Sequence, residues 1–406
     1  MFSSPVRSIL YSLAALICLL AGCEKPGETS SSTPSTGPAG TAASGGVIRI
    51  GEYGSMTGSE ATFGISTDNG VKLAVKERNA AGGVKGRQIQ LIAYDDQGKS
   101  QEVVTAVTRL IQQDKVVALI GEVASSLSIA GGQQAQRAGV PMISPSSTNA
   151  KVTQIGDMIS RVCFIDGFQG YVGAKFATEN LKLKKAATLY NRAQAYSAGL
   201  KDDFRKAMTQ MGGEVLIEQA YGNGDNDFSA QLTAIREKNP DFIYIPSYYT
   251  EVVNIAKQAR KLGITAVLLG SDGWVSEDLK NAGDALDGCY FSDHYAQEDK
   301  RPEVQEFLKK YQAEFGKTPD SMAALGYDAA RLLFDAMERS PSLGGKDLAA
   351  AIASTKDFKG VTGNITLNES RDAVKLAVIQ KIQGGKFSYY ATVEPPNSTA
   401  PTSAPK

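Results

Sequence analysis

The sequence predicts an α/β protein built as two doubly wound parallel-sheet lobes. Short apolar runs alternate with amphipathic stretches from Gly46 onward, the pattern of βαβ units whose helices cover both faces of a parallel sheet. That pattern restarts near residue 184, and strands and helices continue after the second series. The chain has 406 residues, more than one hydrophobic core usually serves.

In the first series "VIRIGEY" reads as a strand, and Asp68–Ala80 ("DNGVKLAVKERNA") as a helix stopped by Gly82 and Gly83. "RQIQLIAYDD" is a strand, Gln101–Gln113 a helix and "VVALIGE" a buried strand; "SLSIAGGQQAQRAG" then leads as a helix into "VPMIS". The second series has strands "KKAATLYN", "EVLIEQAY", "DFIYIPS" and "TAVLLGS", separated by helices around 199–211, 229–238 and 251–262. In the last helix Val252, Ile255, Ala256, Ala259 and Leu262 share one face at helical spacing. "SRVCFIDGFQG" and "DGCYFSDHYAQ" are strand-like, with no obvious helix of their own. Two helices follow at 303–315 and 321–338, and strand character returns in "NITL", "AVKLAVIQKI" and "FSYYATV". The chain is therefore expected to revisit an earlier lobe.

The first residues read as addressing. Arg7 and the amino terminus precede an apolar run, Ile9–Leu20, too short to span a bilayer as a mature helix. The run ends in "LAGC", which resembles the bacterial lipobox, so residues 1–22 read as a lipoprotein signal peptide and Cys23 as the lipidated residue. Residues 23–46 are rich in Ser, Thr, Gly and Pro, the composition of a flexible tether. Residues 394–406 have a similar composition and are expected to be disordered. The implied product is exported and lipid-anchored to a bacterial membrane. Its oxidising compartment permits a disulfide between Cys163 and Cys289, but spacing alone does not separate a bridge from two packed thiols.

Composition and motifs exclude several chemistries. Lys plus Arg and Asp plus Glu both number 43, so there is no basic footprint for nucleic acid. No Gly-x-Ser-x-Gly elbow presents a nucleophile. The single histidine, His294, sits in a strand-like connector that suits a structural or solvent-facing place better than catalysis. One histidine and no thiol cluster leave little for zinc, and the acids lack calcium-loop spacing. The expectation is a non-enzymatic protein without cofactor or metal.

What remains is a set of polar residues at strand ends. Ser125 follows "VVALIGE" and precedes a helix, where it either caps that helix or helps seat a carboxylate on the exposed N–H groups. Thr148 ends the next strand, at the sheet edge where open α/β folds bind ligands. In the second series Tyr248, Asp272 and Trp274 lie just beyond strand ends. An acid facing hydroxyls and N–H groups across a cleft would suit a zwitterion. Asp272 as a turn cap and the aromatics as core is the plainer alternative.

Taken with "GSMTGSEATFG", "NAAGGVKGRQIQLIAYDDQ", "MISPSSTNAKVTQIGD", "YSAGLKDDF" and "LLGSDGW", these residues give a sequence that resembles the branched-chain amino-acid (leucine, isoleucine, valine) binding proteins of ABC transporters. These are type I periplasmic binding proteins, and the likeness runs over nearly all of residues 47–393. It implies two lobes joined by a three-segment hinge, a Venus-flytrap, with lobe 1 at 47–162 and 295–360 and lobe 2 at 163–294 and 361–393. It further implies that Ser125 and Thr148 hold a ligand carboxylate, that the Ser146 carbonyl accepts from its ammonium, and that Asp272 pairs with that ammonium. Phe63, Tyr196, Tyr248 and Tyr327 match aromatic positions around the pocket. Asp272 is one methylene shorter than the family's glutamate. The implied protein is a monomeric receptor that delivers an amino acid to the membrane subunits of an ABC permease. A ligand such as an amide, urea or an aromatic carboxylate, and a sensory module, are the alternatives.

Overall fold

The computed structural model describes residues 46–396, which fall within one compact unit. Residues 1–45, where the sequence suggests a signal peptide, Cys23 and a tether, and residues 397–406 lie outside the described residues. Among the described residues no helix is long and apolar enough to cross a membrane.

The first series builds β1 (Ile48–Gly54), α1 (Ala61–Ala80), β2 (Ile89–Asp95), α2 (Ser100–Gln112), β3 (Ala118–Ile120), α3 (Ser125–Ala138), β4 (Met142–Ser144) and β5 (Ile159–Arg161). The five strands form one parallel sheet in the order β2-β1-β3-β4-β5. The chain then passes to α4 (Asp166–Lys175), β6 (Lys185–Asn191), α5 (Ala195–Gln210), β7 (Glu214–Tyr221), α6 (Ser229–Lys238), β8 (Phe242–Ile245), α7 (Tyr249–Lys261), β9 (Val267–Gly270) and β10 (Tyr290–Asp293). It returns through α8 (Pro302–Phe315), α9 (Ser321–Arg339) and α10 (Gly345–Ala353). A small antiparallel sheet follows, of β11 (Phe358–Gly360), β12 (Gly363–Leu367) and β13 (Ala373–Val374). Finally β14 (Ala377–Gln383) and β15 (Lys386–Val393) add antiparallel strands to the second sheet, ordered β15-β14-β10-β9-β8-β6-β7. Three connections thus run between the large sheets: after β5, after β10 and before β14.

Two helices depart from the pattern read in the sequence, for one physical reason. α1 begins at Ala61, a turn and more before Asp68, although "ATFGIST" is poor in strong helix formers. Its first half is buried against α9 at backbone distance. A Cβ on Gly70 would stand 2.0 Å from the Ala323 carbonyl oxygen, and one on Gly326 would stand 2.5 Å from that of Thr67. α4 occupies part of the strand-like stretch "SRVCFIDGFQG", and a Cβ on its Gly170 would stand 2.6 Å from the Phe204 nitrogen of α5. Glycine weakens the local helix signal while permitting the close packing that stabilises each helix in place. The first of these contacts matters for the cleft, because α1 carries Phe63 and α9 carries Met322.

Candidate functional site

The loop after β4 is held by its neighbours on every side. The Ser144 hydroxyl donates to the Glu122 carbonyl at 3.0 Å and accepts from the Ser147 N–H at 3.0 Å. The fully buried Arg161 guanidinium donates to the Ser147 carbonyl at 2.5 Å and to the Asn149 carbonyl at 2.8 Å. Its Nε lies 2.7 Å from Asp372, which belongs to the segment leading to β14. The Asp166 N–H takes up the Thr148 carbonyl at 2.9 Å. With this backbone pinned, the Ser146 hydroxyl is buried without a hydrogen-bond partner, and the buried Thr148 hydroxyl has only the Asp166 carboxyl beside it. Buried polar atoms are nearly always paired, and both of these hydroxyls line the same cavity, where a ligand's polar groups can reach them.

Across the cleft, Asp272 opens a short 3-10 turn, Asp272–Trp274, just beyond β9. Its Oδ1 lies 2.7 Å from the Tyr196 hydroxyl, which accepts from the Gly273 N–H at 3.1 Å. Its Oδ2 lies 3.0 Å from Nε2 of His294. Burial outweighs the attraction of Asp272 and pushes His294 down to about 4, so the imidazole is neutral at ordinary pH. Among the described residues no Lys or Arg pairs with Asp272, leaving a buried acid without a cation.

Aromatic rings build the walls. Tyr196 and Tyr248 stack with centroids 5.2 Å apart and planes 1° from parallel. Phe63 sets its edge on Tyr248 at 5.8 Å. Phe63, Ser146, Thr148, Tyr196, Tyr248 and Asp272 line one cavity, with Val123, Gly273 and Met322 completing it. The enclosed space is about 10 Å³, room for about one water molecule. Contacts across the cleft account for its tightness. The Ser126 hydroxyl accepts from the Ala195 N–H at 3.0 Å, Asn149 donates to the Ala195 carbonyl at 2.8 Å, and Tyr249 donates to the Ser59 carbonyl at 2.8 Å. A wider polar cleft of about 460 Å³ adjoins it at Tyr248, lined also by Glu60, Gln194 and Glu251.

Several residues stand elsewhere than the sequence suggested. Ser125 is not a cap: Ala124 holds that position, and the Ser125 hydroxyl accepts from the Asn149 N–H at 3.2 Å, beside the cavity rather than on its surface. Tyr327 lies five residues beyond Met322 on α9. Its hydroxyl donates to Glu77 at 3.0 Å and its ring packs on Phe307 at 4.8 Å, within the α1–α8–α9 interface. Trp274 is core: its indole N–H donates to the Ile245 carbonyl at 2.9 Å, and a Cβ on Gly270 would stand 2.2 Å from its ring. Cys163 and Cys289 are both free and buried, so the bridge is absent. Cys163 donates to the Ser147 carbonyl at 3.3 Å, and burial pushes its thiol up to about 12. Among the described residues no cluster of His, Cys, Asp and Glu is arranged to hold a metal.

His294, Met322 and Val123 are the members that strand-end reading missed. His294 is buried and stacked at 3.9 Å on Phe164, not solvent-facing. The one hint in the sequence was its solitary status beside Asp293.

Comparison with known proteins agrees with this fold. The profile described as periplasmic binding protein matches residues 47–386. The leucine-specific-binding protein of Salmonella typhimurium is 30% identical over 353 residues, 85% of this chain and 91% of that one. The crystal structure of the leucine binding protein LivK from Thermotoga maritima superposes with a TM-score of 0.83 at 38% identity, covering 86% of this chain and 99% of that one. LivJ of Streptococcus pneumoniae, a branched-chain amino acid transporter substrate binding protein solved with isoleucine, gives 0.81 at 32% identity, covering 86% and 100%.

Proposed function

The chain belongs to the periplasmic binding protein family, and from that premise we propose that it receives an L-amino acid with an apolar, branched side chain between its lobes and passes it to an ABC permease. Its relatives are binding proteins rather than enzymes. One observation supports the amino acid above all. A buried carboxylate with no Lys or Arg beside it, Asp272, lines one cavity with the buried hydroxyls of Ser146 and Thr148. A zwitterion supplies what each side lacks, its ammonium to Asp272 and its carboxylate to the Thr148 side. Met322, Val123 and Phe63 offer an apolar wall for the side chain. The named ligands of LivK and LivJ, leucine and isoleucine, have that chemistry.

The tight cavity implies a cycle of opening and closing. A ligand enters when the lobes part, and closure is favoured when both of its poles are satisfied. Charge-assisted hydrogen bonds contribute roughly 1.5–3 kcal/mol each, and a stranded buried charge costs comparably. A ligand with one pole leaves a charge unpaired and does not hold the closed state. The closed form is what a permease recognises, and a lipid on Cys23 would keep a monomeric receptor beside it.

Replacing Asp272 by alanine tests the reading. Calorimetry with L-leucine, L-isoleucine and L-valine should show binding lost, while circular dichroism reports an intact fold. Unchanged affinity would refute the pairing of Asp272 with the ammonium.

A further inference from the structure

His294 is set in an unusual way for a residue that merely fills a core. It follows β10 where the chain leaves the second sheet, and its ring stacks at 3.9 Å on Phe164 in the first connection between the sheets. Nε2 lies 3.0 Å from Asp272 Oδ2, whereas Nδ1 is buried without a partner. A carboxylate accepts, so in the neutral ring Nε2 carries the hydrogen and Nδ1 keeps a bare lone pair. An orphaned nitrogen makes imidazole a poor apolar filler, and phenylalanine or leucine would pack there without that cost. The groups that act on the ring are Asp272, which attracts a second proton, and Lys375 of the third connection, which opposes it. Asp293 on the same strand accepts the His294 backbone N–H at 2.6 Å.

We propose that His294 is the positioning residue of the cation site: its Nε2–H fixes Asp272 Oδ2, so that the carboxylate presents a set edge to a ligand ammonium. The role rests on the reading of Asp272 as the ammonium's partner. A neutral donor suits it better than a charged one. Lysine or arginine at this place would satisfy the charge that the ligand has to meet, and the pocket would lose its attraction for a cation. Imidazole orients the acid and leaves its charge uncancelled. Protonation of the ring would put an imidazolium in competition with the ammonium, so acid should release the ligand.

Because His294 is the only histidine of the chain, nitrogen-15 NMR of untagged protein reads it without assignment. In the absence of ligand the spectrum should show the Nε2–H tautomer, with no titration down to about pH 5. The Nδ1–H tautomer, or titration near the ordinary histidine value of about 6.5, would overturn the proposal. L-leucine calorimetry on two variants gives the second reading. His294→Leu should weaken binding about 10- to 100-fold near neutral pH and move the acid loss of binding to lower pH, because the ring whose protonation competes with the ammonium is gone. His294→Gln, whose amide nitrogen reaches the place of Nε2, should stay within about five-fold of the parent. A leucine variant that binds as the parent does across pH, or a glutamine variant as weak as the leucine one, refutes the positioning role. The NMR result without ligand stands apart from ligand choice, so it fails or holds independently of Asp272→Ala.

Discussion

Replacing Arg161 by methionine removes a buried guanidinium that ties the ligand-facing loop to the segment before β14. The arginine side chain is fully buried and that of its partner Asp372 is 9% exposed. Two loop carbonyls, of Ser147 and Asn149, lose their donors, and Thr153 Oγ1 loses a contact at 3.0 Å. Asp372 is left with the Thr153 hydroxyl at 2.8 Å and the Asn368 side chain on its backbone. Breaking a buried pair from one side costs about 3–5 kcal/mol, because the remaining charge stays desolvated. Methionine replaces only the aliphatic stem, so a cavity where the guanidinium stood adds to the stranded charge and the upper end of that range, about 5 kcal/mol, is expected. The double variant Arg161→Met/Asp372→Asn removes the stranded charge and should recover about 2 kcal/mol relative to the sum of the single changes. Urea unfolding measures both, followed by fluorescence of Trp274, the only tryptophan and fully buried in the native state. A double variant that loses the full sum of the two singles, or an Arg161→Met cost below about 1 kcal/mol, would refute direct coupling between the loop and Asp372.

Gly326→Ala should lower stability by about 1–3 kcal/mol in the same assay, since its Cβ would stand 2.5 Å from the Thr67 carbonyl oxygen; it should also weaken L-leucine binding, because the helices it separates carry Phe63 and Met322. An unchanged unfolding midpoint would contradict the close α1–α9 approach. Asp293→Asn tests a pH window: burial pushes Asp293 from 3.8 up to about 7, so its native state holds a proton that the unfolded chain releases, and stability present at low pH is lost as pH rises toward 7. The asparagine variant escapes that loss, and its stability relative to the parent should climb between pH 4 and 7 by up to about 4 kcal/mol, then level off; a pH-independent difference would dismiss the buried acid as its cause.

Alternation of apolar runs and amphipathic stretches was enough to place most strands along the chain, because a short buried strand and its longer covering helix differ in length and pattern; the order of strands within each sheet came only from the structure. The same local logic placed Thr148, Tyr248 and Asp272, since strand ends in such folds converge on one cleft, and the family resemblance added Ser146, Phe63 and Tyr196. They do line one cavity. The glycine-rich starts of α1 and α4 were illegible, because what stabilises them is a neighbouring helix at backbone distance.

The sequence by itself determined a two-lobed α/β architecture and the polar strand ends that meet between the lobes. Tertiary structure alone decided which residues of the helices and connections join them. Tyr327 follows Met322 by five residues, about 140° around a helix of 3.6 residues per turn, so the packing of α9 on α1 turns one to the cleft and the other to Glu77 and Phe307. Trp274 stands two residues from Asp272, yet the tight approach at Gly270 directs it into the core. His294 meets Asp272 from 22 residues away. Local periodicity records which residues are apolar and where strands end; a side chain's direction and its distant partners exist only once the elements have packed.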